Sequence, residues 1–324
     1  MGLLAQLHAN LTAPQLDITL GDRELFKANL KITLGNYKPA MALMAATTDH
    51  NQRSFRAETL AQWEGRPEAF DKWLAEHPED PNANLVSAEH LINWAWEARG
   101  RGAGSGVSQE AAQLFVERLT LATRHIQQAV ELAPGDPAPI AAAITIAKGL
   151  NQPKGEIAEL FNRAIQIEPD HHAAHYAMTD YLCAKWHGSH EEMFTLARNA
   201  AGNAAPGSSL HGLVAVAHIE RWANPGSDES EDRTGANYWK QSPVKDELRA
   251  AAEAFLSPGA ELTPYQCVAG NHFAVALTFA KEFDAAHRVF QALGNRVTKS
   301  PWRRIGDPGS CYSLWRRDVR KQCK

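Results

Sequence analysis

The sequence predicts an all-α chain organised as a solenoid-like array of helix pairs, and three observations carry that prediction. Apolar residues recur at helical spacing, as in Ala174, Ala177, Met178, Tyr181 and Leu182. Segments of one pattern recur along the chain, each ended by a proline. Few stretches alternate apolar and polar residues as a half-buried strand must. The composition agrees: 324 residues, 44% hydrophobic and 22% charged, with 22 Gly and 17 Pro, leave ample helix-compatible sequence and exclude disordered and collagen-like classes. No apolar run comes near the roughly 18 residues that a bilayer-spanning helix needs.

The recurring segments are Phe70 to Pro78, Ile126 to Pro134, Phe161 to Pro169 and, more weakly, Arg198 to Pro206. Three of the four have an apolar residue eight before the proline and three have a small one five before it, which makes a packed stripe on a helix that the proline stops. The proline spacings are 56, 35 and 37 residues. The widest is one repeat plus an insertion, visible as the glycine-rich run from Arg99 to Ser108. That run lacks both nucleotide-binding glycine patterns and reads as a flexible loop.

Taken in order, helices are expected near 22–34, 38–47, 52–63, 67–77 and 83–99, the third to fifth bracketing the first proline stop. They continue at 109–133, 138–149, 155–168, 171–185 and 190–203, where Asp136-Pro137 and Ser189-His-Glu-Glu192 supply start signals. The last five are expected near 208–222, 244–256, 264–280, 283–293 and 310–322. The connection from Asn224 to Ser242 carries Asp228, Glu229, Glu231 and Asp232 among Ser, Gly and Pro, and reads as a solvated loop. Three segments follow: 1–99, 100–206 and 207–324.

A period near 34 residues of helix, turn, helix and terminal proline resembles the tetratricopeptide repeat. The best unit, Ala138 to Asp170, matches it at Phe161, Ala164 and Pro169, while its first helix lacks the usual Trp, Gly and Tyr. Trp94-Ala-Trp-Glu-Ala-Arg-Gly100, Phe115-Val-Glu-Arg-Leu119, Leu132-Ala-Pro-Gly-Asp-Pro137 and Lys185-Trp-His-Gly-Ser-His-Glu-Glu-Met193 together resemble a bacterial family, common in actinobacteria, that carries a domain of unknown function with tetratricopeptide-like architecture. The resemblance runs from about Asp22 to Ala201, and His187 replaces the first glycine of that family's Trp-Gly-Gly-Ser turn. It implies a helical-repeat fold and no activity, substrate or catalytic residue.

The net charge of -4 hides an asymmetry, because from Arg296 onward nine Lys/Arg meet two acids, leaving a +7 tail and a -11 body. Trp302, Tyr312 and Trp315 are interleaved with those cations, yet an acidic chain as a whole argues against nucleic acid and for a tail docked on its own body. Cys183, Cys267, Cys311 and Cys323 form no C-x-x-C pair, which fits a reducing compartment. The N-terminal segment has no basic stretch before its leucines, and Gln6 stands where a myristoylation signal wants Ser or Thr. A cytoplasmic protein with no membrane contact is expected.

The expected function is binding of a protein or peptide partner through a concave groove, with no cofactor and no catalytic residue. On the helix at 83–99, His90, Asn93, Trp94, Trp96 and Arg99 combine indole area with polar tips, the composition of a recognition surface. Stacked first helices would continue that groove to His175 and His218. The alternative is an enzyme or a metal- or haem-dependent accessory protein, since His171 and His175 lie one helical turn apart, His211 and His218 two turns apart, and all four would converge if their helices were neighbours. No G-x-S-x-G elbow or H-E-x-x-H pair supports it.

Overall fold

The computed structural model describes residues 14–100, 106–224, 237–256 and 261–323. The glycine-rich run at 101–105 and the acidic stretch at 225–236 lie outside the described residues. Among those described there is no strand, and no helix is long and apolar enough to cross a membrane. The chain forms two compact units, Asp22–Tyr181 and Leu182–Lys324 with Met1–Gly21, where the sequence reading placed boundaries at 99 and 206.

The first unit holds α1 (Arg23–Ile32), α2 (Lys38–Ala46), α3 (His50–Leu60), α4 (Glu68–Glu76), α5 (Pro81–Arg99), α6 (Gln109–Leu132), α7 (Pro137–Gly149), α8 (Lys154–Ile167) and α9 (His172–Tyr181). Asp22, Asp49, Asp80, Ser108 and Asp136 each cap a helix start by accepting a backbone N–H. The helices before the prolines bury one stripe each: Phe70 and Trp73 on α4, Ile126 and Ala129 on α6, Phe161 and Ala164 on α8. These are the positions that the proline register selects. The expected helix 171–185 ends at Tyr181, and Gly188 then lies so close to the Leu182 carbonyl that a Cβ there would be 2.2 Å from it.

α5 and α7 are buried nearly all round, because α3 covers the face that they and α9 turn inward. Polar contacts fix this placement. Arg53 pairs with Asp136 at the start of α7 (2.5 Å) and donates to the Met44 carbonyl (3.1 Å). Asn51 accepts from the His172 N–H (2.7 Å) and donates to the Asp170 carbonyl (3.1 Å). Ser54 Oγ meets His171 Nε2 at 2.8 Å. An open array of pairs would leave that inner face to solvent; here the chain's own third helix occupies it.

The second unit holds α10 (His190–Asn203), α11 (Gly212–Ala223), α12 (Ser242–Phe255), α13 (Pro264–Ala280), α14 (Phe283–Leu293) and α15 (Pro308–Gln322). Ser189 caps α10 as its pattern predicts, accepting from the Glu192 N–H at 3.1 Å. α11 and α13 lie side by side within the layer formed by α10, α12 and α14. They approach so closely at Gly212 that a Cβ there would be 2.5 Å from the Ala269 Cβ and 2.9 Å from its Cα. Asn271 is wholly buried and fully used. It donates to the Cys267 and Arg296 carbonyls (2.8 and 3.0 Å) and accepts from Trp302 Nε1 (2.7 Å).

The basic tail is docked through named contacts within this unit. Arg296 donates to the Leu293, Ala292 and Leu262 carbonyls, Arg304 pairs with Glu220, and Arg316 donates to the Gly294 carbonyl. Trp302 and Tyr312 are 0% exposed, so neither ring presents a face for stacking on a base.

Four outcomes follow from this packing. Gly212→Ala should lower stability by roughly 1–3 kcal/mol in urea titration, because the added methyl overpacks α11 against α13. Gly155→Ala, with nothing within 4 Å of its Cβ position, should gain about 0.5–1 kcal/mol from helix preference. Burial lowers the pKa of His171 and of His272 from 6.5 to about 4. The folded chain then refuses protons that the unfolded chain binds, so stability present above pH 6.5 should fall as the pH drops toward 4, by up to roughly 3 kcal/mol per imidazole. Glu89 runs the other way, raised by burial and then by the Glu58 carboxylate. Its contribution is lost as pH rises, so Glu89→Gln should raise the melting temperature at pH 8 and leave it unchanged at pH 4.

Candidate functional site

The residues expected to line a groove on α5 are largely engaged within the first unit. His90 is 2% exposed, its Nδ1 donates to the Ala61 carbonyl at 3.1 Å, and its ring lies 5.4 Å from Phe70. Burial pushes its pKa down, so the imidazole is neutral. Asn93 reaches the same carbonyl at 3.5 Å. Trp94 lies under the Arg118 guanidinium, 3.5 Å from the ring centroid, and Arg118 also donates to the Trp94 carbonyl at 2.6 Å. Trp96 packs edge-on against Phe115 at 4.8 Å, with Lys148 and Arg99 over its ring at 4.7 and 5.6 Å. Lys148 in turn pairs with Asp180. These contacts join α5 to α3, α4, α6 and α7, and through Lys148 to α9, a role that the amphipathic pattern of α5 did not separate from solvent exposure.

The histidines expected as a metal alternative are likewise occupied. In the first unit His175 is buried, donates through Nε2 to the Pro169 carbonyl (2.9 Å) and meets Phe161 edge to face (5.1 Å), while His171 is held by Ser54. In the second unit His211 donates through Nε2 to the Ala205 carbonyl (3.0 Å). Among the described residues no group of three or more His, Cys, Asp or Glu is arranged to hold a metal ion. Helix starts and structural hydrogen bonds account for the one-turn spacing of His171 and His175.

The second unit contains a feature of another kind, a cavity of about 340 Å³ where the C-terminal ends of α11 and α13 come together. Trp222 from α11, Phe279 from α13 and Trp239 from the short turn Tyr238–Lys240 form its walls. Trp239 stacks on Phe279 with centroids 5.4 Å apart and planes 16° apart, and Trp222 lies 4.7 Å from Phe279. Trp239 is only 3% exposed, and its indole N–H has no acceptor among the described residues. Trp222 and Phe279 keep part of their surface open.

Three lysines, Lys240, Lys245 and Lys281, complete the lining. Lys245 faces Glu282 at 3.5 Å, and Lys240 donates to the Asn237 side chain at 3.0 Å. Neither Lys240 nor Lys281 has an acidic partner among the described residues. Lys281 ends α13 in the left-handed conformation, φ 61° and ψ 27°, where glycine is the favoured residue.

The wall carrying Trp239 is braced from behind. His218 Nδ1 lies 2.6 Å from the Tyr238 hydroxyl and Nε2 lies 3.2 Å from Glu247. A carboxylate only accepts, so Nε2 donates to Glu247 and, in the neutral ring, Nδ1 accepts from Tyr238. Glu247 also takes two hydrogen bonds from Arg198 (2.6 and 2.9 Å). Arg198 first, and His218 after it, hold its carboxyl down at about 2. His218, expected on a groove surface, is 2% exposed and sits one layer behind the cavity.

Sequence reading missed Trp222, Trp239, Phe279 and the three lysines, which come from four separated stretches. One signal was present: Trp222 and Phe279 end two apolar helices and stand ten residues after the small residues Gly212 and Ala269. Chemically the cavity offers aromatic faces and ammonium groups at its edge, which suits recognition of an apolar group joined to an anion. No family model, no curated protein and no solved structure matches this chain.

Proposed function

We propose that the protein is a helical-repeat binding module for a protein or peptide partner, and that the cavity walled by Trp222, Trp239 and Phe279 is its recognition site. The carrying observation is the cluster of aromatic walls around one cavity, with Trp222 and Phe279 partly open beside the Trp239 stack. Tryptophan-rich pockets of this kind concentrate binding energy at interfaces. About 340 Å³ accommodates one large side chain and sits at the low end of small-molecule pockets, about 300–1,000 Å³. Paired helices supply the rigid frame, and the groove read from α5 gives way to this surface because α3 covers the inner face of the first unit.

Selection of displayed random peptides against the full chain, followed by calorimetric titration of the enriched sequences, tests this reading. Enriched peptides should bind, and Trp222→Ala should weaken them by about tenfold or more, with unchanged helical circular dichroism. Selection without enrichment, or equal binding to Trp222→Ala and to Phe279→Ala, overturns it.

A further inference from the structure

The cavity's edge carries information beyond its apolar walls. Several cations of the second unit are matched: Arg198 to Glu247, Arg249 to Glu282, Arg288 to Glu253 and Arg304 to Glu220. Lys240 and Lys281 are both exposed, both line the cavity, and neither faces an acid among the described residues. Two unmatched ammonium groups at the mouth of one aromatic cavity make a positive rim around an apolar hole.

Lys281 adds a second, independent observation. A side chain in the left-handed conformation is disfavoured relative to glycine, and the helix C-terminus that it caps accepts glycine readily. Its backbone N–H closes the last turn of α13 onto the Leu277 and Thr278 carbonyls, a bond glycine would make equally well. The helix dipole favours a cation at this terminus while the left-handed backbone favours glycine; the ammonium that stands there is exposed at the cavity mouth with no acidic partner among the described residues, where an anionic occupant would meet it.

We propose that the cavity takes an acidic peptide, with an aromatic side chain inserted between Trp222 and the Trp239–Phe279 stack and flanking carboxylates held by Lys240, Lys281 and, in exchange with Glu282, Lys245. The inference rests on the binding reading above and adds the class of ligand. The aromatic side chain follows from ring walls that favour stacked and edge-on partners. The carboxylates follow from charge complementarity, because an ammonium at the mouth attracts anions and discriminates against basic segments. His218 acts here as a positioning residue, since its bond to Tyr238 holds the turn that presents Trp239 and Lys240.

Short synthetic peptides titrated into the full chain test the proposal: one phenylalanine flanked by glutamates, the same with glutamines, the glutamate version with alanine for phenylalanine, and free phenylacetate. The acidic phenylalanine peptide should bind about tenfold or more tightly than each of the others, quench tryptophan fluorescence, and weaken as salt rises. Lys281→Gly should cost about fivefold or more in that affinity while the melting temperature stays level or rises, which separates ligand contact from folding. Equal binding of the glutamine peptide, or full affinity in Lys281→Gly, overturns the acidic class and leaves the peptide-binding reading to the Trp222→Ala result. Phenylacetate binding as tightly as the peptide overturns a peptide occupant, and no binding by any of the four overturns the proposal.

Discussion

The approach of α11 to α13 at Gly212 and Ala269 governs the second unit. A glycine facing an alanine brings two helix axes closer than larger side chains allow, and no methyl fits between them. The two helices run in the same direction and in register: Trp222 and Phe279 each stand ten residues after that contact, about 15 Å along the axis, with their rings 4.7 Å apart. Small residues face each other at one level of the pair and large aromatic ones at the other. The cavity lies at the aromatic level, and the Tyr238–Lys240 turn supplies its remaining wall.

Inner helices that are wrapped on every side obey different composition rules from outer ones. α7 and α13 are rich in alanine and apolar residues all round, and both bury most of their length. Their few polar side chains must find partners inside. Asn271 meets that demand with two carbonyls and an indole, and His272 with the Val268 carbonyl. Neutral imidazoles serve this purpose because one nitrogen donates to a carbonyl while the aromatic body packs, and burial then keeps them uncharged. A chain with 14 histidines therefore need not be a metal protein.

Legibility in the sequence followed the range of the interaction. Helix ends and outer stripes were readable, since Ile126 with Ala129, and Phe161 with Ala164, lie within one turn of each other and their prolines set the register. The Ser189 cap was readable for the same reason. The covering of the inner face by α3 was not. It depends on Ser54 reaching His171 and Arg53 reaching Asp136, contacts 117 and 83 residues apart that no local pattern encodes. His90 shows the consequence: its place on α5 was correct, but whether that face met solvent or α3 lay beyond periodicity. The candidate site failed to appear for a related reason, as its lining comes from 222, 239–240, 245 and 279–281, a set with no fixed spacing.

The +7 tail was expected to dock on its own body, and Arg296 and Arg316 satisfy carbonyls at the C-terminal end of α14, while Arg304 pairs with Glu220. Those cations are consumed in folding, because guanidinium groups reach several acceptors at once and complement a helix C-terminus. The lysines of the cavity mouth have flexible, single-point ammonium groups suited to a partner that arrives and leaves. Which cations remain for the proposed recognition is therefore set by three-dimensional pairing and not by where basic residues cluster along the chain.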